Sequence, residues 1–456
     1  MSAPTPEPPA VRRNLVLAAL LAATFMATVD ASIVNVALPT LARELHAPAS
    51  DTVWVTTAFL LAAACCIPAT AALGDRVGRR RLFLLGVPLF TLASLACAAA
   101  PDLGLLVAAR VVQGVASALV LAVPIPVYRH VVPSERLGSV LGLNAMTVAL
   151  GTSAGPTLGG ALLTVAPWPW LFLVNLPIGL VATVLGWRYL PGVPPRPGGF
   201  DAAGSVWIAA AIACFLLGVR GLGDTSTLPV SGALLVLTAV LVVLFVRREA
   251  RTPHPVVPLG LFRRPFTLAV LTASCSFFGQ GTAFVALPFL FQESFGDSAL
   301  RSALLFTPWP LVIVVLAPLS GRAADRVDPT LLALGGLTVL AGGLVSLALL
   351  PPDAPTLDVL LRTALCGAGF AVFQSPNNRQ MMSAAPLVHA GAAAGVLNLN
   401  RTVSQSVGSG AVSVVFVATG VGAGGGHGGA VTVVLALGAA VTAVGAGLAA
   451  VRLRGS

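Results

Sequence analysis

Fourteen runs of about 20 mostly apolar residues, separated by short polar loops, set the tightest limit on what this chain can fold into. A bilayer core offers no water to exposed backbone groups, so each run is predicted to be a helix that satisfies its own hydrogen bonds. The predicted spans are 15–38, 51–73, 82–100, 103–127, 140–163, 168–190, 203–220, 229–246, 267–291, 300–320, 330–350, 356–380, 391–418 and 429–451. Only 9% of the residues are charged, against about 25% in a soluble domain. The first apolar run is too long for a signal peptide, and more runs follow it.

Every basic residue is Arg. Without Lys the chain offers neither the phosphate-binding Lys of a P-loop ATPase nor a Schiff-base amine. If the spans alternate, twenty arginines fall on one side, among them Arg12, Arg13, the GDRVGRRR loop (74–81), Arg247, Arg248 and Arg452. The opposite loops hold only Arg43, Arg220 and Arg301. That asymmetry places both termini in the cytoplasm, in a multi-pass protein of the cytoplasmic membrane. The arginines lie in short clusters between apolar runs, which suits a membrane and not a nucleic acid. The six cysteines sit within apolar runs with no metal-ligand spacing, and Trp168, Trp170 and Trp187 fit an interfacial belt. No nucleophile–base pattern suggests an enzyme, and no cofactor or metal is expected. The expected partners are a small-molecule substrate, protons and lipid, and the protein is expected to be a monomer.

The chain also repeats itself. GDRVGRRRLFLLG (74–86) matches ADRVDPTLLALGG (324–336), and VLGLNAMTVALGTSAG (140–155) matches VLNLNRTVSQSVGSGA (396–411). Leu106–Arg110 in the fourth span corresponds to Leu360–Arg362 in the twelfth. The expected organisation is a tail (1–14), a six-helix bundle (15–190), a linker with two extra spans (191–266), a second six-helix bundle (267–451) and a tail (452–456). Paired bundles of this kind carry a substrate site at their interface, near mid-membrane.

Of the sixteen acidic residues, only Asp30 lies deep within an apolar run. It sits ~12 Å below one end of its span. Burial there favours the neutral acid, so a proton carrier is the functional reading. Arg110 lies at ~10 Å from the same surface and would oppose that effect if the two face one cavity. Arg362 sits at like depth and is either a second lever or an anchor at the boundary. In GTSAGPTLGG (151–160), Gly151, Gly155 and Gly159 share one helix face. Small residues let helices approach closely, and Pro156 cannot bond the Thr152 carbonyl and is expected to kink the helix. With Gly160, this seam is expected to seal one bundle against the other. Candidate cavity contacts are Met26 and Ile33, which share a face with Asp30, then Phe277, Gln280 and Phe284, and finally Gln113 and Gln374.

VDASIVNVALPTL (29–41), LGDRVGRRR (73–81), ARVVQG (109–114), GTSAGPTLGG, NLPIG (175–179) and FDAAG (200–204) together resemble the major facilitator superfamily. Within it, the chain looks like the 14-helix drug:proton antiporters. The resemblance implies an all-α membrane protein of two six-helix bundles plus a two-helix insertion. It also implies a proton-coupled antiporter that exports drugs, antibiotics or other amphipathic molecules by alternating access. It assigns proton transfer to Asp30 and Arg110. It further implies that Asp75, with Arg76 and Arg79, latches onto the other half; Asp325 and Arg326 repeat the pattern. Departures are Ala71, where the loop motif has Gly, and Ala31 and Ser32 after the first-helix Asp. The alternatives are a proton-coupled symporter or facilitator for small metabolites, and a non-transporting membrane sensor.

Overall fold

A computed structural model describes residues 10–192, 201–223, 226–252, 255, 258–351, 353–386, 390–421 and 427–453. Within its helices, the side chains at 10, 71, 72, 75, 134, 135, 137–139, 141, 142, 145, 149, 153, 220, 390, 391, 394 and 427 fall outside that description. Each apolar run is helical. In chain order the long helices are α1 (Ala10–Ile33), α2 (Trp54–Val77), α3 (Arg79–Ala98), α4 (Leu103–Leu121), α5 (Ser134–Val165), α6 (Asn175–Tyr189) and α7 (Ala202–Arg220). They continue with α8 (Leu228–Glu249), α9 (Arg264–Phe289), α10 (Pro308–Ala323), α11 (Pro329–Ala348), α12 (Thr356–Ala384), α13 (Ala390–Ala418) and α14 (His427–Leu453).

By length and composition, thirteen helical segments among the described residues can cross a membrane. The exception is α13, whose Asn398, Asn400, Arg401, Gln405 and four serines dilute its apolar residues. Local sequence explains several helix ends. Asp102 accepts the Leu105 N–H at 2.8 Å, and Asp328 accepts the Thr330 N–H at 2.6 Å. These are N-caps that fill the donors left over in a first turn. Gly78, at φ 95°, makes the reversal between α2 and α3, a conformation that glycine adopts freely.

The helix contacts repeat with an offset of eight. In the N-terminal half α1 packs on α5 and α6, α4 packs on α2 and α3, and α3 packs on α6. In the C-terminal half α9 packs on α13 and α14, α12 packs on α10 and α11, and α11 packs on α14. The contacts between the halves follow the same symmetry: α2 meets α13, and α5 meets α10 and the short helix Ala299–Phe306 before it. The hairpin of α7 and α8 breaks the pattern. Ile212 and Leu216 of α7 pack with Ala64 of α2 against Leu399, Val403 and Val407 of α13, so the hairpin covers one of the two seams between the halves.

Polar contacts join the halves at the face opposite the chain termini. Arg43 pairs with Glu293 at 2.7 Å, and Gln292 Nε2 donates to the Val36 carbonyl at 2.7 Å. Ser413 donates to the Ser50 carbonyl at 2.8 Å, and the Thr157 and Thr307 hydroxyls lie 2.7 Å apart. Deeper in, the Thr57 and Ser409 hydroxyls are also 2.7 Å apart.

A buried ion pair beside the cavity between the halves

Asp30 is fully buried and accepts hydrogen bonds from two other helices, α4 and α6. Arg110 Nη1, from α4, donates to Asp30 Oδ2 at 2.5 Å. Gln113 Nε2, one turn further along α4, donates to Oδ1 at 2.8 Å, and Asn175 Nδ2, at the start of α6, donates to the same oxygen at 2.7 Å. Ser94 Oγ on α3 accepts from both amides, at 2.8 Å from Gln113 and 3.2 Å from Asn175. Arg110 also donates to Gln113 Oε1 at 2.6 Å and, through Nε, to the Val55 carbonyl at 2.9 Å. Taking two charges out of water costs several kcal/mol each, and only close geometry with further hydrogen bonds repays it. This cluster supplies both. Arg110 Nη2 remains buried with no hydrogen-bond partner among the described residues.

A cavity lies between the halves, with about 790 Å³ of space free of atoms, open solvent included. Thr28, Ala31 and Ser32 line it from α1 and Asn35 from the turn just beyond, Phe59 and Ile67 from α2, Thr152 from α5, Phe284 from α9, and Arg401, Thr402, Gln405 and Ser409 from α13. Asp30 is on the other side of α1. The Phe59 ring stands between the two sites: it lines the cavity, and its centroid lies 4.2 Å from the Arg110 guanidinium carbon. Phe172 lies beyond the same guanidinium at 5.8 Å. In this conformation the carboxylate and the cavity are neighbours without being in contact.

The expected cavity residues separate into three groups. Met26 and Ile33 do share a face with Asp30, but that face turns away from the cavity into the apolar core. A helix with 3.6 residues per turn sends 27, 28, 31, 32 and 35 to one side and 26, 30 and 33 to the other. Gln113 belongs to the Asp30 cluster. Phe277 packs on Phe370 at 5.9 Å, and Gln374 is half-buried and does not line the cavity. Gln280 stands one step behind the wall, accepting from Gln405 Nε2 at 2.8 Å. Phe284 alone of this set is in the cavity lining, edge-on to Phe306 and Trp309. Arg362 is an anchor: it pairs with Asp358 at 2.8 Å and donates to the Ser346 carbonyl, tying α12 to α11.

The glycine seam also differs from expectation. Side chains at Gly151, Gly155 and Gly159 would collide with Thr28, Ser32 and Ile33, all on α1 of the same half. Only Gly160 faces the other half, where a Cβ would sit 2.5 Å from Ala303. A GxxxG face signals close approach but not which helix approaches. Pro156 lies inside α5 and borders a small void with Asn35, Phe284 and Phe306. In the loops, Arg79 is buried and donates to the Ala122 carbonyl at 3.0 Å, beyond the end of α4, where a helix C-terminus favours a cation. Arg76 and Arg326 are exposed. Asp325 pairs with Arg379 of its own half, whereas the Asp75 side chain lies outside the description.

Three groups carry chemistry that the sequence reading did not assign: Asn175 and Ser94 on the carboxylate, and Arg401 in the cavity. Asn175 stands in NLPIG and Arg401 in the LNLNR repeat, so both signals were within segments already singled out.

A sequence profile of the Major Facilitator Superfamily matches residues 20–409. The chain is 39% identical over 390 residues to YebQ of Escherichia coli, an uncharacterized transporter, covering 85% of each chain. It is 32% identical to the multidrug resistance protein Stp of Mycobacterium tuberculosis, over 84% of this chain and 72% of Stp. It is 29% identical to the riboflavin transporter RibZ of Clostridioides difficile, over 87% of this chain and 86% of RibZ. Repeated helical halves, a cavity between them, a charge pair beside it and a profile match over most of the length lead to one assignment: the chain is a transporter of the Major Facilitator Superfamily and not an enzyme.

Proposed function

We propose that the protein exports amphipathic small molecules across the cytoplasmic membrane in exchange for protons, with its termini and the arginine-rich loops in the cytoplasm. The observation that carries this reading is the fully buried Asp30–Arg110 pair, one aromatic ring away from the cavity. Arg110, Gln113 and Asn175 all donate to the Asp30 oxygens, an arrangement that suits a charged carboxylate. Protonation removes the charge that holds Arg110, so uptake of a proton and re-formation of the pair are alternative states of one element. In the cycle, Asp30 takes a proton while the cavity faces outward and substrate leaves. The halves then rock, the pair re-forms, the proton is lost to the cytoplasm and substrate loads. The contacts at the far face, from Arg43–Glu293 to Thr157–Thr307, suit the loading state.

The gradients are sufficient. A 100 mV potential provides ~2.3 kcal/mol per charge and one pH unit ~1.36 kcal/mol. Together they support roughly 500-fold accumulation per proton, at about 1.4 kcal/mol per tenfold. Relatives named for multidrug resistance support the export reading, and the relative named for riboflavin supports a second one, a carrier of small metabolites. Proteoliposomes separate the two. For the exporter, an imposed pH gradient drives substrate movement, and Asp30→Asn inserts and folds but loses at least about a hundredfold of that movement, the lower end of what a positioned proton-transfer group contributes. Undiminished gradient-driven export by Asp30→Asn would overturn the mechanism. Movement of riboflavin with no response to the gradient would favour the second reading.

A further inference from the structure

We propose that Arg401 is the substrate-binding cation of the cavity, and that the cavity takes an organic monoanion: a carboxylate, or an equivalent pair of acceptor oxygens, on an apolar body. This deepens the exporter reading and rests on it for the direction of transport.

Arg401 lies eleven residues into α13, ~16 Å along the helix from its start. The other two arginines inside spans have acids of their own, Arg110 with Asp30 and Arg362 with Asp358. Arg401 has no hydrogen-bond or ion-pair partner among the described residues, and it lines the cavity. Among the described residues no acidic side chain shares that lining; Asp30 faces the other side of α1 and its oxygens are taken. An unpaired cation at this depth is costly, and such groups are kept where they face a water-filled path or a partner. The described residues supply no partner, so the occupant of the cavity does.

The surroundings define the rest of the ligand. Phe59, Leu60, Phe284 and Val285 form apolar wall. Gln405, one turn beyond Arg401, shares its face, and Gly281 lets α9 come close enough to fix that face: a Cβ there would lie 2.6 Å from the Gln405 carbonyl. A guanidinium binds two coplanar oxygens through two parallel N–H donors, which selects a carboxylate over an amide and rejects an ammonium. For an exchanger this choice has an electrical consequence. An anion leaving and a proton entering move charge in the same sense, so an inside-negative potential drives both legs. With a neutral substrate it drives one.

The test is equilibrium binding to the purified full-length chain in uncharged detergent, with 2-naphthoic acid, 2-naphthamide and 2-naphthylmethylamine as matched probes. The wild type is expected to prefer the acid over the amide and the amine by about tenfold or more, the scale of hydrogen bonds to a charged group. Arg401→Gln is expected to bind acid and amide within about twofold of each other on that same scale, with amide affinity retained as evidence of folding. Arg401→Lys, which keeps the charge and loses the fork, is expected to retain the preference with severalfold weaker acid binding. No acid preference in the wild type, or one that persists in Arg401→Gln, overturns the proposal. Should Arg401→Gln fail to fold, wild-type affinity for the acid in Arg401→Lys overturns it equally. Binding in detergent needs no gradient, so a failure of the proton-exchange reading registers only in the vesicle assay.

Discussion

In the N-terminal half, the deep charges satisfy each other. Asp30 and Arg110 are both fully buried, and the carboxylate accepts hydrogen bonds from Arg110, Gln113 and Asn175. In the C-terminal half, Arg401 faces the cavity with no acid beside it, and the repeat counterpart of Arg110, Arg362, is an anchor near the far face. The same architecture, built twice, has one half holding an internal charge pair and the other presenting a cation to whatever enters. The difference teaches that a pseudo-symmetric scaffold lets its halves divide the work. On the proposed function, one half handles the proton and the other the substrate.

The comparison is broken most directly by removing each arginine in turn. Arg110→Gln leaves Asp30 buried and unpaired, which costs about 3–5 kcal/mol. The double variant Asp30→Asn, Arg110→Gln is expected to recover most of that loss, since neither charge remains. Arg401→Gln removes a cation with no partner among the described residues and is expected to leave stability unchanged or slightly raised. Thermal unfolding of the purified variants, read as the folded fraction after heating, checks all three. Equal losses from Arg110→Gln and Arg401→Gln would erase the distinction between the halves.

A smaller effect sharpens the contrast at the two close helix contacts. Gly155 lets α5 approach α1, and Gly281 lets α9 approach α13, its counterpart in the repeat. A Cβ at Gly281 meets backbone only, the Gln405 carbonyl oxygen at 2.6 Å and Cα at 2.9 Å. A Cβ at Gly155 meets the Ser32 hydroxyl first, which can rotate away, and then the Ile33 nitrogen at 2.9 Å. Gly281→Ala is therefore expected to cost more than Gly155→Ala, within the 1–3 kcal/mol or so typical of overpacking. Comparable losses would show that the α9–α13 contact yields as readily as a hydroxyl turns.

Much of this was legible in the sequence, and the gaps have physical causes. Lipid imposes a length and a composition, so the presence of each long helix was legible, while its ends depart from the predicted bounds by as much as the eight residues that separate 300 from Pro308. Depth put Asp30 and Arg110 at one level of the membrane, and the structure pairs them on the side of α1 away from the cavity. Which side of α1 faces the cavity was not legible, because Met26 and Ile33 look alike to lipid, core and cavity. The small polar residues Thr28, Ser32 and Asn35 mark the wet side. The GxxxG face of α5 announced a close neighbour without naming α1. Arg401 stands within the repeated segment 396–411, at a position where the first copy has Ala145. The available signal was an arginine deep in a span with no acid within a turn of it.

The smallest expected effect concerns the extra hairpin, which covers the α2–α13 seam and leaves the α5–α10 seam bare. Asp201 ties the hairpin's ends at the termini face: it accepts the Gly204 N–H at 2.9 Å as the N-cap of α7, and the Arg248 Nε at 2.7 Å from the last turn of α8. Burial alone pushes the Asp201 carboxyl up, but the Gly204 N–H and the Arg248 guanidinium outweigh it and hold it below the usual carboxylate range. A lowered value in the folded state means the stabilisation is present above the unfolded value, about 3.9. It fades as pH falls through the folded value. Asp201→Asn keeps a capping acceptor and loses the charge, so the expected loss near neutral pH is at most about 1 kcal/mol, Arg248 being partly exposed. Asp201→Ala loses the cap as well, adding about 1 kcal/mol. Unfolding midpoints of wild type and Asp201→Asn are expected to converge as pH falls below about 4. A deficit that stays constant down to that pH would mean the ion pair is not what holds the hairpin, and that α7 keeps its place on the seam by the packing of Ile212 and Leu216 alone.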